Sequence, residues 1–591
     1  MKRSASPHQP PAKSKSDPPA NDTFFSKHSK FFLLTLPMML AGLFAFLLFD
    51  VKISEGNDDS MYIEAAWHYS QDFTGYFYRA NAPLYPMVLG VITMIIGLNL
   101  IVYKIINTLL FLLLIYFTYK TFAGRIPDVI LFPVMILTAI NSQLIFFASQ
   151  TYTEVPYLAL QAVFLWFFLS RYEKLKHDVA GTAIQTPENQ SKLNGTAVKF
   201  AITVSVLLFL LTMTRNIAIG VVAGVIIFLL IEKDFKLAAI TAGLYTGLRF
   251  IWTFILNSVW GKGDQYSSQW QILRMKNPYN SAEGVEEWSG FPVRFISNLD
   301  LYTSKRLLQI FGFRGDMATE TWPLATLLIT LFALWCIWKI FRLQRSQKNT
   351  NTGHSEKAFS TSSRRATTLA ALIFFMPFGL TLFVLQTHWE TVRLVVVYLP
   401  FIVIVFFFGF YQLWHEGNKN RRWLFLIPVS LIIAGSMLAT IKKTIAHFPV
   451  LVQNLNGDKY YGYTPDWENY LKLSEWCAEN LPPEAVIAAR KAPMSFVYGK
   501  GRTFFPVYSA VAINPNSNLS DPDSVLAYFK EHHVTHAIAA SIRTNPYVND
   551  GIIINTIQRM LIPVAQKYPG KLKLVKQMGD EEAAHLYEIT P

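Results

Sequence analysis

The chain is punctuated by twelve mostly apolar stretches, at residues 31–49, 84–98, 101–119, 127–147, 156–170, 199–213, 217–231, 237–258, 322–341, 368–386, 394–414 and 423–441. Such stretches predict helices that keep their backbone polar groups hydrogen-bonded internally while facing lipid. Segment 84–98 stands apart: it is short, starts at a proline and contains Gly90 and Gly97. The polar positions between the stretches decide how it is read. With 84–98 left out of the count, the loops fall into two alternating sets. Loops 1–30, 120–126, 171–199, 232–236, 339–367 and 415–422 hold 25 Lys and Arg, whereas the short loops 50–100, 148–155, 214–216 and 387–393 hold 4. Basic loops stay on the cytoplasmic side. The pattern therefore predicts eleven spans (31–441), a cytoplasmic N-terminus and an extracytoplasmic segment 442–591. Segment 84–98 is then an amphipathic or re-entrant helix along the outer surface. The long outer loop 259–320 is of a length that largely escapes the charge rule. Lys104 falls near the outer end of its span, where snorkelling would carry its amine to water.

Composition agrees. Hydrophobic residues make up 52% and charged residues 16%, against about 25% charged in soluble domains. This is a polytopic α-helical membrane protein. Its formal charge of +14 follows from basic loops retained inside and does not call for a nucleic-acid partner. Residues 1–30, rich in Pro, Ser and Lys, cannot build a core and read as a disordered tail. The run 31–49 is too long for a signal-peptide core and lacks a small-residue cleavage site, so it reads as an uncleaved first span. Cys336 lies in an apolar stretch and Cys477 far from it, which supports neither a disulfide framework nor a thiolate metal site.

From about residue 458 the texture becomes that of a soluble α/β domain. DWENYLKLSEWCAEN predicts an amphipathic helix ended by LPPE, and AVIAARK a short buried strand. SVLAYFKEHHVTHAIAA reads as helix, turn and buried strand, and KLKLVKQMG with HLYEIT as a closing strand pair. His532, His533 and His536 read as turn histidines, because no acidic or cysteine partner stands at zinc-ligand spacing.

The outer side thus holds loop 50–100, the corner ASQTYTEVP (148–156), loop 259–320 and the corner QTHWETVR (386–393). Asp58 and Asp59 follow the first span by a few residues, at the start of a segment patterned as a short interfacial helix. A carboxylate held beside another against a bilayer has a raised pKa or needs a cation. It can serve as general base on an acceptor hydroxyl or amine, or help hold a divalent metal against a phosphate. One of the two can equally cap the helix. Glu154 is the acid of the second corner, where a span-end carboxylate can also simply reach water. His388, Glu390 and Arg393 crowd the last corner, where Glu390 and Arg393 can pair. Arg79, Arg215, Arg249 and Arg393 supply guanidinium forks suited to phosphate.

The run Asp58-Asp59…Tyr62…Arg79…Ala-Pro-Leu-Tyr-Pro resembles the first outer loop of GT-C glycosyltransferases. The closer likeness is to the branch holding protein O-mannosyltransferases and the bacterial aminoarabinose transferase of lipid A, whose loop runs roughly D-E-x-x-Y…G…K-P-P-L. Asp59 stands for the family's glutamate, Arg79 is displaced from its lysine position and Ala82 replaces a proline. Glu154 matches the acid of the second outer loop, and Arg393…Tyr398…Pro400 looks like a late Arg…Tyr…Pro pattern. The tail ENLPPEAVIAARKAPMSFVYGKGRTFFPVY is similar to the soluble outer domain of the bacterial subgroup. The resemblance implies a GT-C fold in a bacterial inner membrane. It also implies inverting transfer of a hexose or pentose from a polyprenyl-phosphate-linked sugar donor to a glycan, lipid or protein acceptor. Asp58 would be the base, Glu154 and Asp59 its acidic partners. Tyr62, Arg79 and Arg393 would hold the donor phosphate, with His388 and Glu390 beside the substrate. A divalent metal is used by distant relatives and is left open. The rival reading is a transporter or lipid flippase; against it, the chain has no inverted internal repeat. A cell-envelope scaffold would leave the acidic loop without a purpose.

Overall fold

The structure, a computed structural model, describes residues 29–181, 187–261, 273–277, 283–315, 318–345, 360–415, 421–508, 519, 521–544 and 553–590. Residues 1–28 and, within segment 259–320, residues 262–272, 278–282 and 316–317 lie outside these residues. In chain order the helices are α1 (Leu36–Leu47, led by a π turn over Phe31–Thr35), α2 (Asp58–Gln71), α3 (Leu84–Ile96), α4 (Leu100–Phe122), α5 (Asp128–Ile140), α6 (Ser142–Ala148), α7 (Glu154–Gly181), α8 (Pro187–Thr214), α9 (Ile219–Ile231), α10 (Phe235–Val259) and α11 (Gly290–Asp300). A π-helical turn, Leu301–Leu307, continues α11. Then come α12 (Pro323–Arg345), α13 (Thr361–Val384), α14 (Arg393–Val396), α15 (Leu399–His415) and α16 (Trp423–Leu455).

Seven of these helices, α4, α7, α8, α10, α12, α13 and α16, contain stretches long and apolar enough to cross a membrane. The pair α5 and α6, bent by 55° at Asn141, makes an eighth. Three more segments expected to span, Phe31–Leu47, Asn216–Ile231 and Leu399–His415, form shorter apolar helices. At 1.5 Å per residue, seventeen residues reach roughly 26 Å, just under a hydrocarbon core of about 30 Å. The chain is an integral membrane protein. The suspect segment 84–98 is α3. It buries Tyr85, Leu89 and Thr93 while leaving Val88, Val91, Met94 and Ile95 exposed; Tyr85 meets Tyr62 of α2, and Thr93 meets Tyr103 of α4. Gly90 permits that packing: a Cβ there would stand 2.6 Å from the Cβ of Tyr69.

Lys104 does not snorkel. It is fully buried, and its Nζ lies 2.6 Å from Asp50 Oδ1 and 3.1 Å from the Asp50 carbonyl oxygen. A lysine this deep is tolerable only when paired, and the pair ties α4 to the segment following α1.

The C-terminal region is a layered α/β unit. Its sheet has the order β2-β1-β3-β7-β6, from β1 (Val486–Ala489), β2 (Phe505–Pro506), β3 (Val534–Ala539), β6 (Leu572–Met578) and β7 (Ala584–Ile589); a two-stranded pair, β4 (Ile542–Arg543) with β5 (Ile553–Ile554), lies apart. Strands β2, β1 and β3 are parallel, and β7 and β6 run antiparallel beside them. Helix α17 (Pro465–Asn480) covers one face: Trp467, Leu471 and Cys477 pack with Ile487, Ile538 and Leu586. Helix α18 (Ala492–Tyr498) follows β1 directly. Helices α19 (Pro522–Glu531) and α20 (Thr556–Lys567) cover the other face through Phe529, Met560 and Val564 against Ala488 and Ala537. Parallel strands need such cover on both sides. The unit is strapped to the segment between α1 and α2. Tyr463 Oη accepts from the Ile53 N–H at 2.9 Å and donates to the Ile53 carbonyl at 2.6 Å, and Lys52 Nζ donates to the Gly462 carbonyl at 2.6 Å.

Candidate active site

The two adjacent aspartates part company at the start of α2. Asn57 takes a left-handed φ of 74°, and the chain turns so that Asp59 faces inward, with 1% of its surface exposed. Its Oδ2 accepts from Ser54 N–H at 2.8 Å and its Oδ1 from Ser60 N–H at 2.9 Å. Asp59 therefore fastens the loop to the helix. Burial pushes its carboxyl up to about 6, opposed by those two backbone N–H groups. Asp58 points the other way and stays partly exposed.

What meets Asp58 comes from far along the chain. Arg393, at the first turn of α14, donates from Nη1 to Asp58 Oδ2 at 2.6 Å and from Nε to Glu154 Oε1 at 2.7 Å. Its guanidinium lies 4.8 Å from the centre of the Tyr152 ring. Glu154, fully buried at the start of α7, also takes Arg215 Nη1 at 2.7 Å, and Arg215 is steadied by Thr153 Oγ1 at 2.9 Å. Two acids and two guanidiniums thus close into one neutral cluster. The second oxygen of Glu154 is buried with no hydrogen-bond partner among the described residues, an open acceptor of the kind that a bound hydroxyl would satisfy. Tyr62 lies one turn along α2 from Asp58, buried, its ring edge-on to Tyr78 and Tyr85 at 5.7 and 5.9 Å. Burial first, and the nearby Asp58 carboxylate second, push its phenol up to about 12.

The other expected site residues stand elsewhere. Arg79 donates from Nη2 to the carbonyls of Trp260 and Gly261 at 2.7 and 3.0 Å, which pins its loop to the end of α10. Glu390 does not pair with Arg393. It takes Arg306 Nη2 at 2.5 Å and the amine of Lys305, both carried by the π-helical turn. π-Helical turns are uncommon and recur at functional sites. His388 is exposed on the short 3-10 turn Thr387–Trp389. Arg215 was expected as a guanidinium fork suited to phosphate, whereas Tyr152, Lys305 and Arg306 were not among the expected site residues. The adjacent Lys-Arg of YTSKRL was the available signal for the last two.

The donor set does not suit a divalent metal. One oxygen of Asp58 and one of Glu154 are already held by guanidiniums whose charge repels a cation, and among the described residues no three His, Cys, Asp or Glu side chains form a metal-binding group.

Fold and site together define a class: a polytopic helical membrane protein with an attached α/β unit, bearing a charge cluster at the start of α2. No protein-family model matches the sequence, and no curated protein matches it. Among solved structures, the chain is similar to the oligosaccharyltransferase of Archaeoglobus fulgidus tethered to an acceptor peptide containing the NVT sequon. That match has a TM-score of 0.47 and 11% identity over 96% of this chain and 75% of the other. It is also similar to ArnT from Cupriavidus metallidurans in the apo state, with a TM-score of 0.48 and 11% identity over 94% of this chain and 97% of that one.

Proposed function

We propose that this protein is a membrane glycosyltransferase that moves a sugar, with inversion, from a polyprenyl-phosphate-linked donor to an acceptor at the extracytoplasmic face of the membrane. The observation that carries the reading is the Arg393 bridge between Asp58 and Glu154, because it gathers base, acid and cation at one point beside the bundle. Asp58 is the general base. The acceptor oxygen attacks the anomeric carbon, its proton passes to Asp58, and the bond from that carbon to the phosphate oxygen breaks with its electron pair leaving on the phosphate. Glu154, through its open oxygen, orients the acceptor. Phosphate is a good leaving group, so the remaining need is to offset its developing charge. Arg393 and Arg215 do this from the cluster, and Lys305 and Arg306, held by Glu390, from the π-helical turn. Tyr62 walls the site, and Arg79 anchors the loop.

The test uses purified protein in nanodiscs and a panel of radiolabelled polyprenyl-phosphate sugars, with release of polyprenyl phosphate as readout. Wild type should turn over at least one donor and Asp58→Asn should not. Equal turnover by both would end the assignment of Asp58, and transport of the intact donor without cleavage would favour the flippase.

A further inference from the structure

Helix α2 has a second chemically equipped flank, turned toward the C-terminal unit. Helix α18 packs on it, placing Phe496 6.4 Å from the Trp67 ring and 6.0 Å from the His68 ring. This contact brings the carboxyl edge of β1 close to α2, and open α/β sheets bind ligands at that edge. The two residues directly after β1 are Arg490 and Lys491. Lys491 is buried, and its amine reaches the Glu55 carbonyl at 3.3 Å. Burial, then neighbouring Arg490, draws it down to about 8, while the charges of Asp58 and Asp59 draw it up. The edge of the sheet therefore adjoins the carboxylate pair.

Beside it lies Glu64. Its carboxyl is mostly shielded from water and, among the described residues, has no hydrogen bond and no ion pair; burial alone pushes it up to about 7. Around it stand Tyr76, stacked on His68 with centroids 4.7 Å apart, and Tyr508, each electrostatically coupled to Glu64. Arg490 stands 5.6 Å from the Tyr508 ring centre. Its Nε donates to Thr556 Oγ1 at 3.2 Å, and its terminal nitrogens have no hydrogen bond among the described residues. A carboxylate wanting donors and a guanidinium wanting acceptors thus share Tyr508 as a neighbour. An anion would be repelled by Glu64 and a cation by Arg490 and Lys491. A hydroxyl group donates and accepts at once, and aromatic faces suit the C–H face of a sugar ring.

We propose that the groups gathered where α18 docks on α2, namely Glu64, His68, Tyr76, Arg490 and Tyr508, bind a neutral carbohydrate as the acceptor of the transfer. The proposal rests on the transferase reading and specifies its acceptor class.

The test is direct binding to the full chain in nanodiscs, by saturation-transfer NMR and calorimetry, of a panel of neutral methyl glycosides and disaccharides. At least one should bind. Glu64→Gln, Tyr76→Ala and Arg490→Met, each shown to be folded by its thermal midpoint, should weaken it tenfold or more. No glycoside bound by wild type, or unchanged affinity in Glu64→Gln and Tyr76→Ala, overturns the proposal. So does a preference for phosphorylated over neutral sugars that is lost only in Arg490→Met. Binding is read without turnover, so a failed donor assay sinks the transferase reading alone. Donor turnover without glycoside binding sinks only this one.

Discussion

Arg393 and Asp58 are 335 residues apart in the chain and 2.6 Å apart in space. The same guanidinium reaches Glu154 through its Nε, so one rigid planar cation sets the spacing between acids on two different helices. Lysine, a point charge on a flexible stem, cannot hold both. Arg393→Lys should keep the fold and lower donor turnover by about 10²-fold, as expected for slight misplacement of reacting groups. Arg393→Met should in addition lower stability by roughly 3 kcal/mol, by leaving Asp58 and part of Glu154 uncompensated. Turnover and thermal midpoints of the two variants check this; a lysine variant as active as wild type would contradict it.

Asp58 and Asp59 should separate cleanly. Loss of a carboxylate base costs about two to four orders of magnitude in rate, so Asp58→Asn should lose turnover at nearly constant stability. Asp59→Asn replaces one acceptor of the Ser54 and Ser60 N–H groups by a donor. An unpaired buried N–H costs about 1–3 kcal/mol, so this variant should melt earlier and keep more activity. The reverse pattern would exchange their roles.

The buried Lys104–Asp50 pair predicts strong coupling. Lys104→Met leaves Asp50 buried without its cation, at roughly 3–5 kcal/mol. Adding Asp50→Asn should recover part of that loss, and a double-mutant cycle on thermal unfolding measures the difference. Additive losses would mean that the pair is not a stability determinant.

Glu64 predicts a pH dependence. Its folded-state value is raised from an ordinary 4.5 to about 7, so the folded chain holds this proton more tightly than the unfolded chain. Stability from this group is present below about pH 4.5 and falls as pH rises through 7. Glu64→Gln should remove that fall. Relative to wild type, the variant should gain on the order of 2 kcal/mol at pH 8, allowing for partial exposure of the carboxyl, and little at pH 5. Midpoints at the two pH values decide it, and an equal shift at both would refute the assignment.

Much of the architecture is written along the chain. Lipid obliges each spanning helix to satisfy its own backbone, so apolar length is a one-dimensional property that sequence displays. The separate character of segment 84–98 came from the same reading, as did the α/β alternation after residue 458. The acidic start of α2, Glu154 and Arg393 were also visible as residues. Their meeting was not, because helices apolar on most sides carry little record of their rotation or depth, and those decide which polar side chain faces which. Tertiary packing alone turned Asp59 inward and Asp58 outward, withdrew Arg79 to the end of α10 and gave Glu390 to Lys305 and Arg306. It buried Lys104, which the sequence would have left at the water's edge. It also brought Arg490 toward the helix that carries Glu64, 426 positions earlier in the chain, because α18 docks on α2, a contact no local pattern encodes.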